Sequence, residues 1–192
     1  MSFKFNRCAR IQFKFALLGF TLLQAPYALS QSSAQVVALR ELAQEIRSDH
    51  PNVPHLNLEE VQQRIGQFTV IDVRDPEEFQ VSQIPGAINI HEPEALLKFA
   101  NEHQGDLLLY CSVGLRSAQL TELLHSQGAT HTTNFVGSIF AWGNQGLALT
   151  NAQGETGFVH PYNWYWGWRY LNSDRHPPDS SEADDLMGLE RP

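Results

Sequence analysis

Leu107-Leu108-Leu109-Tyr110-Cys111-Ser112-Val113-Gly114-Leu115-Arg116-Ser117 decides how the rest of the chain is read. Four apolar or aromatic residues in a row predict a buried strand. Behind the stretch, Ala118, Leu120, Leu123 and Leu124 recur at helical spacing. The order is therefore strand, tight loop, helix, with Cys111 at the carboxyl end of the strand. That is where an open α/β sheet binds its ligands.

The residue types in the loop point to one kind of chemistry. Successive backbone N–H groups in a tight curve form an anion-binding nest. The helix that follows adds unpaired N–H donors and the positive end of its dipole. Gly114 permits backbone angles closed to other residues. Arg116 contributes a fixed charge and a planar fork suited to oxyanions. Each of these favours the thiolate of Cys111 over its thiol. A thiolate in a cup of donors is a nucleophile aimed at an anionic substrate. The competing reading is an inert core cysteine, and the neighbouring Gly and Arg argue against it.

Upstream of the loop, Phe68-Thr69-Val70-Ile71-Asp72-Val73 reads as another buried strand. Asp72 and Arg74 stand two apart at its end, on one face. They either brace the Cys111 loop or cap the strand end. Asn57 with Glu60 forms a capping box for a helix carrying Leu58, Val61 and Ile65, with Gly66 as its stop. A short helix is expected from Glu77 to Val81, a strand over 87–90, and a helix from Pro93 to His103. A helix to Ser126 or Gln127 should be stopped by Gly128, and a last strand run from Thr132 to Val136. Strands alternating with helices predict a parallel, twisted sheet covered on both faces.

Several stretches together resemble the rhodanese-like (sulfurtransferase) family. Cys111-Ser112-Val113-Gly114-Leu115-Arg116-Ser117 is similar to its active-site loop, C-x-x-G-x-R-S. Ile71-Asp72-Val73-Arg74-Asp75-Pro76-Glu77-Glu78-Phe79 and Ile84-Pro85-Gly86-Ala87-Ile88-Asn89-Ile90 look like its first two signatures. The run from Val136 to Trp142, followed by Gly146-Leu147, looks like the closing one. The resemblance covers about Leu56 to Thr150. It departs at Ser82-Gln83, where the family often has Gly-His, and at Gly137-Ser138, where Gly-Gly is usual. Neither departure is expected to touch the nucleophile. The resemblance implies a three-layer α/β fold with a central parallel sheet and helices on both faces. It also implies that Cys111 carries sulfur as a persulfide from a small anionic donor to a thiol or cyanide acceptor. Arg116, Ser112, Val113, Gly114, Leu115 and Ser117 would bind substrate. Asp72 and Arg74 would support the loop from behind. No cofactor is implied.

Residues 1–30 differ from the rest. Lys4, Arg7, Arg10 and Lys14 precede an apolar run, Phe15 to Leu23, and Ala28-Leu29-Ser30 offers small residues for cleavage. This is the pattern of a secretory signal peptide and implies a periplasmic address. An uncleaved anchor is the other reading. Cleavage would strip four basic residues and no acidic one, taking the formal net charge of −8 further negative. An acidic surface argues against nucleic acid and anionic membrane as partners. It would also leave Cys111 as the sole cysteine, so no intrachain disulfide could form. The eight histidines are scattered, with no i, i+4 pair, and support no metal site. Nothing resembles a nucleotide-binding loop.

Around the 55–150 domain, residues 31–54 predict an amphipathic helix and a breaker-rich connection, and 173–192 an acidic, disordered tail. Residues 151–172 form an aromatic-rich extension. Its Tyr162, Trp164, Trp166, Trp168 and Tyr170 fall on every second position, which in a strand would place them on one face. Three roles stay open for that face: a strap over the domain, a wall beside the active site, or a docking surface for a partner protein. Two other functions also stay open. One is a non-catalytic binding or sulfur-delivery module. The other is a phosphatase or arsenate reductase-like enzyme, whose loops resemble H-C-x5-R and are one residue longer than the spacing from Cys111 to Arg116.

Overall fold

A computed structural model of the chain describes residues 34–178. The expected export segment over 1–30 and the acidic stretch beyond 178 lie outside the described residues.

Five strands make one parallel sheet: β1 (His55–Leu56), β2 (Thr69–Asp72), β3 (Ile88–Asn89), β4 (Leu107–Tyr110) and β5 (Thr132–Phe135). Their order across the sheet is β1-β5-β4-β2-β3. β4 is therefore central. Each of its four residues is buried, as a strand covered on both faces requires. Alternation along β4 separates two cores. Leu108 and Tyr110 join Val61, Val70, Phe135 and Phe140 on one side, and Leu107, Leu109 and Cys111 join Ile71, Leu96, Ala100 and Leu124 on the other. The first core is covered by α1 (Ala34–Asp49), α2 (Leu58–Arg64) and α6 (Ser138–Asn144). The second is covered by α4 (Pro93–Glu102) and α5 (Leu115–Ser126). This is a three-layer α/β fold.

Local signals explain the helix ends. Asn57 accepts from the Glu60 N–H while Glu60 accepts from the Asn57 N–H, closing the capping box of α2. Asp75 and Glu78 repeat that box at α3 (Pro76–Val81), which has Pro at its first turn. Gly128, at φ +92°, turns the chain after α5.

Two boundaries and one element differ from the sequence reading. Residue 150 does not end the domain. It lies inside β6 (Leu149–Asn151), which pairs antiparallel with β7 (Gly154–Thr156). Thr150 also exchanges two backbone hydrogen bonds with Gln83. So short a ribbon has no apolar alternation by which the sequence could show it.

The aromatic run is not a strand. Its centre is helix α7 (Trp164–Tyr170), capped by the Asn163 side chain, which accepts from the Trp166 N–H at 3.1 Å. A helix breaks the period of two. Trp166 and Tyr170, four apart, turn toward the core, while Tyr162, Tyr165 and Trp168 are exposed. The helix packs on α1. Gly167 permits its close seat on the preceding segment, since a Cβ there would lie 2.4 Å from Pro161 Cβ.

The tail does not begin at 173. Ser173–Arg175 forms a 3-10 turn, and the Arg175 carbonyl accepts the N–H of buried Val159 at 2.8 Å.

Candidate active site

Cys111 ends β4 and is 1% exposed. Its setting is decided by where the loop carbonyls go. The Cys111, Ser112 and Val113 carbonyls accept from the N–H groups of Ile139 (3.2 Å), Phe140 (3.0 Å) and Gly137 (2.8 Å). In a trans peptide the C=O and the following N–H point in opposite directions, and no peptide here is cis. The N–H groups of Ser112, Val113 and Gly114 therefore face away from α6, on the side of the thiol. Gly114 shows the result: its N–H donates to Cys111 Sγ at 3.2 Å. The Ser117 hydroxyl lies 3.6 Å from the same sulfur. Val113 and Leu115 pack their side chains on the first core and offer the loop only backbone.

Gly114 is required twice over. Its φ is +106°, and an added Cβ would meet Val136 Cα at 2.9 Å and Phe135 O at 3.1 Å. The loop is thus seated on the backbone at the end of β5.

The departure at Ser138 does reach Cys111, against the sequence expectation. Its hydroxyl donates to the Phe135 carbonyl at 2.7 Å and accepts the Cys111 N–H at 3.1 Å. Ser138 holds φ +50° to do so. A Gly would sit there without strain but would leave both groups unserved.

Arg116 forks onto Glu78, with Nη1 2.8 Å from Oε2 and Nη2 2.9 Å from Oε1. Nη2 also donates to Ser112 Oγ at 3.1 Å, which in turn donates to Glu78 Oε1 at 2.9 Å. Asp75 lies 3.7 Å from Nη1. Glu78 was not singled out from the sequence. A glutamate in the first turn of a helix reads as a cap, and it does accept the Asp75 N–H. Only the tertiary fold shows that it is buried against a loop 34 residues on.

Burial opposes the charge of Glu78, but the Arg116 fork, with Arg74 and Ser112, holds its carboxyl below the ordinary value. Burial likewise opposes the charge of Arg116, and Glu78, Cys111 and Asp75 together more than offset it. Both groups stay ionised at neutral pH.

Asp72 and Arg74 are fully buried and paired, with Arg74 Nη2 2.6 Å from Asp72 Oδ2. The same Nη2 donates to the Ser82 carbonyl at 2.6 Å, and the guanidinium lies 5.7 Å from the Tyr110 ring centre. The pair therefore ties the end of β2 to residues 82–84 and to the residue before the cysteine, not to the loop itself. Tyr110 completes this support by accepting the Ile84 N–H at 3.1 Å.

The extension returns to the site. The ring of Tyr162 lies over Arg116, 4.8 Å from Cζ to the ring centre. Tyr162 holds φ +68°, which costs a residue with a Cβ about 1–2 kcal/mol. Its N–H donates to His160 Nδ1 at 3.0 Å. Burial keeps the imidazole of His160 below its ordinary pKa, with Glu78, Arg74 and Arg116 close enough to contribute. Among the described residues no group of three or more His, Cys, Asp or Glu side chains could hold a metal ion.

The arrangement presents a recessed sulfur that accepts the Gly114 N–H and lies beside the Ser117 hydroxyl, with one cation on the rim already paired to a carboxylate. It can stabilise one added anionic atom on Cys111. Comparison with known proteins agrees with this geometry. The family model described as Rhodanese-like domain matches residues 57–145. Thiosulfate sulfurtransferase PspE of Escherichia coli is 33% identical over 87 residues, which cover 44% of this chain and 78% of that one. The thiosulfate:glutathione sulfurtransferase of Homo sapiens is 33% identical over 95 residues, 40% of this chain and 80% of its own. Among solved structures, a thiosulfate sulfurtransferase from Pseudomonas aeruginosa shares the fold, with a TM-score of 0.50 and 22% identity over 63% of this chain and 24% of that one.

Proposed function

This chain belongs to the rhodanese-like family, and we propose that it transfers sulfane sulfur from an anionic donor such as thiosulfate through a persulfide on Cys111. The Gly114 N–H pointing at Cys111 Sγ, with the loop carbonyls drawn off toward α6, is the observation that carries this reading. The Cys111 thiolate attacks the outer sulfur of the donor. The donor's S–S bond breaks and its electron pair leaves with sulfite. The enzyme keeps a Cys111–S–S⁻ whose terminal charge falls among the loop N–H groups. An acceptor thiolate or cyanide then attacks that outer sulfur, and Cys111 departs as thiolate. Neither half-reaction needs a general acid, because sulfite and the Cys111 thiolate both leave as anions. Arg116 acts on this reading as a clamp for the loop, joined through Ser112 and Glu78, with its outer edge left for the donor.

The basic and apolar residues 1–30 support a periplasmic address, which joins the proposal. A sulfur-delivery role toward one protein partner is favoured by exposed Tyr165 and Trp168 on α7. Intact mass before and after thiosulfate tests the central claim, beside Cys111→Ser. Wild type should gain one sulfur and lose it to cyanide, and the variant should gain none. A reduced, accessible Cys111 that gains nothing would sink the reading.

A further inference from the structure

The 57–145 match ends before residues 157–176, yet that segment reaches the rim of the site at Tyr162. Cys111 is only 1% exposed, so a persulfide there can be reached by a small atom or a projecting thiol but not by the body of a large acceptor. That body must rest on the rim. Tyr162 supplies a surface for it. Its ring is backed on Arg116 and braced edge-on by Trp166 at 6.4 Å, and the residue is still 46% exposed. The support runs on from Trp166 to Tyr170 at 5.3 Å, and Tyr170 is buried in the first core. Val159, two residues before Pro161, is fully buried and bonded to Arg175. A non-glycine residue held at positive φ by such anchoring is the kind of outlier that marks a functional position.

We propose that Tyr162 is a specificity-determining residue of the second half-reaction: its exposed ring holds the body of an organic thiol acceptor, such as a peptide thiol, and so favours that class over cyanide. The inference rests on the persulfide reading above. The thiolate of the acceptor attacks the outer sulfur of Cys111–S–S⁻, the Cys111–sulfur bond breaks, its pair returns to Cys111 Sγ, and an organic persulfide leaves.

The test compares transfer from thiosulfate-loaded enzyme to glutathione and to cyanide, as the ratio of the two second-order rates. Tyr162→Asn removes the ring while keeping a residue at ease in the left-handed region. That ratio should fall about fivefold to tenfold, the scale of one lost aromatic contact, and Tyr162→Phe should preserve it. An unchanged ratio in Tyr162→Asn overturns the inference, as does a parallel fall in both rates, which would mean that the ring acts only through Arg116 or the fold. Wild type that never loads would defeat the persulfide reading itself, an outcome visible by mass before any acceptor is added.

Discussion

Glu78 supports opposite expectations for stability and for anion binding, and a single substitution separates them. The carboxylate is 3% exposed and receives two N–H groups of Arg116 and the Ser112 hydroxyl. Glu78→Gln keeps the shape but sets an NH2 group against donors. Breaking a buried pair costs about 3–5 kcal/mol when the survivor is left without solvent. Arg116 has a side chain 30% exposed and can recover part of its hydration, and an amide oxygen at either position still accepts two bonds. We therefore expect about 2 kcal/mol for Glu78→Gln and about 4 kcal/mol for Glu78→Ala. The Gln variant should lower Tm by about 4–8 °C in a domain of this size. The pH dependence fixes the cause. Glu78 titrates below its ordinary value near 4.5 in the folded protein. Its stabilisation is fully present above that ordinary value and is lost as pH falls through the lower, folded one. Urea unfolding of both proteins from pH 7 to pH 3 should show the gap closing at the acid end. With one fewer anion at the rim, the KM for thiosulfate should fall in Glu78→Gln. A stability gap that stays constant with pH, or no gap at neutral pH, would refute the account.

Other substitutions probe the loop's supports. Gly114→Ala should destabilise by about 3 kcal/mol or more, from positive φ plus a Cβ pressed on Val136 and Phe135, and persulfide formation measured by mass should fall with it. Tyr110→Phe leaves the buried Ile84 N–H without its acceptor and should cost about 1–3 kcal/mol in urea unfolding, with the sheet unchanged by circular dichroism. Ser138→Ala should cost about 1–2 kcal/mol, since it loses two hydrogen bonds and keeps the positive φ, whereas Ser138→Gly should cost less because the strain disappears.

The sheet and the loop that carries Cys111 were legible because their signals are local. A four-residue apolar run, a Gly at a turn and a helical repeat all lie within twenty residues of Cys111. Glu78 was not legible, because its local role as a cap is also true and hides its partner across the fold. The roles of Asp72 and Arg74 were narrowed to two by position, and the structure ties them to Ser82 and Tyr110 instead of the loop. Helix α7 was misread because alternate aromatics fit a strand and, with Asn163 as cap, fit a helix equally well. What decides between them is the seat against α1, which no window of that sequence contains. The Ser138 hydroxyl escaped notice because a Gly-to-Ser difference suggests strain and gives no hint of a bond.

The stitching of residues 111–113 to the turn at 137–140 makes the shape of the cup non-local information. Cys111 receives its backbone partner from a side chain 27 residues later in the chain. A polypeptide emerging cysteine first would carry the thiol well before the segment that orients its donors, and long-range closures of this kind form late in folding. The geometry around Cys111 is then a readout of completed assembly: a chain missing β5 and α6 would lack both the Ser138 partner of the Cys111 N–H and the backbone on which Gly114 is seated.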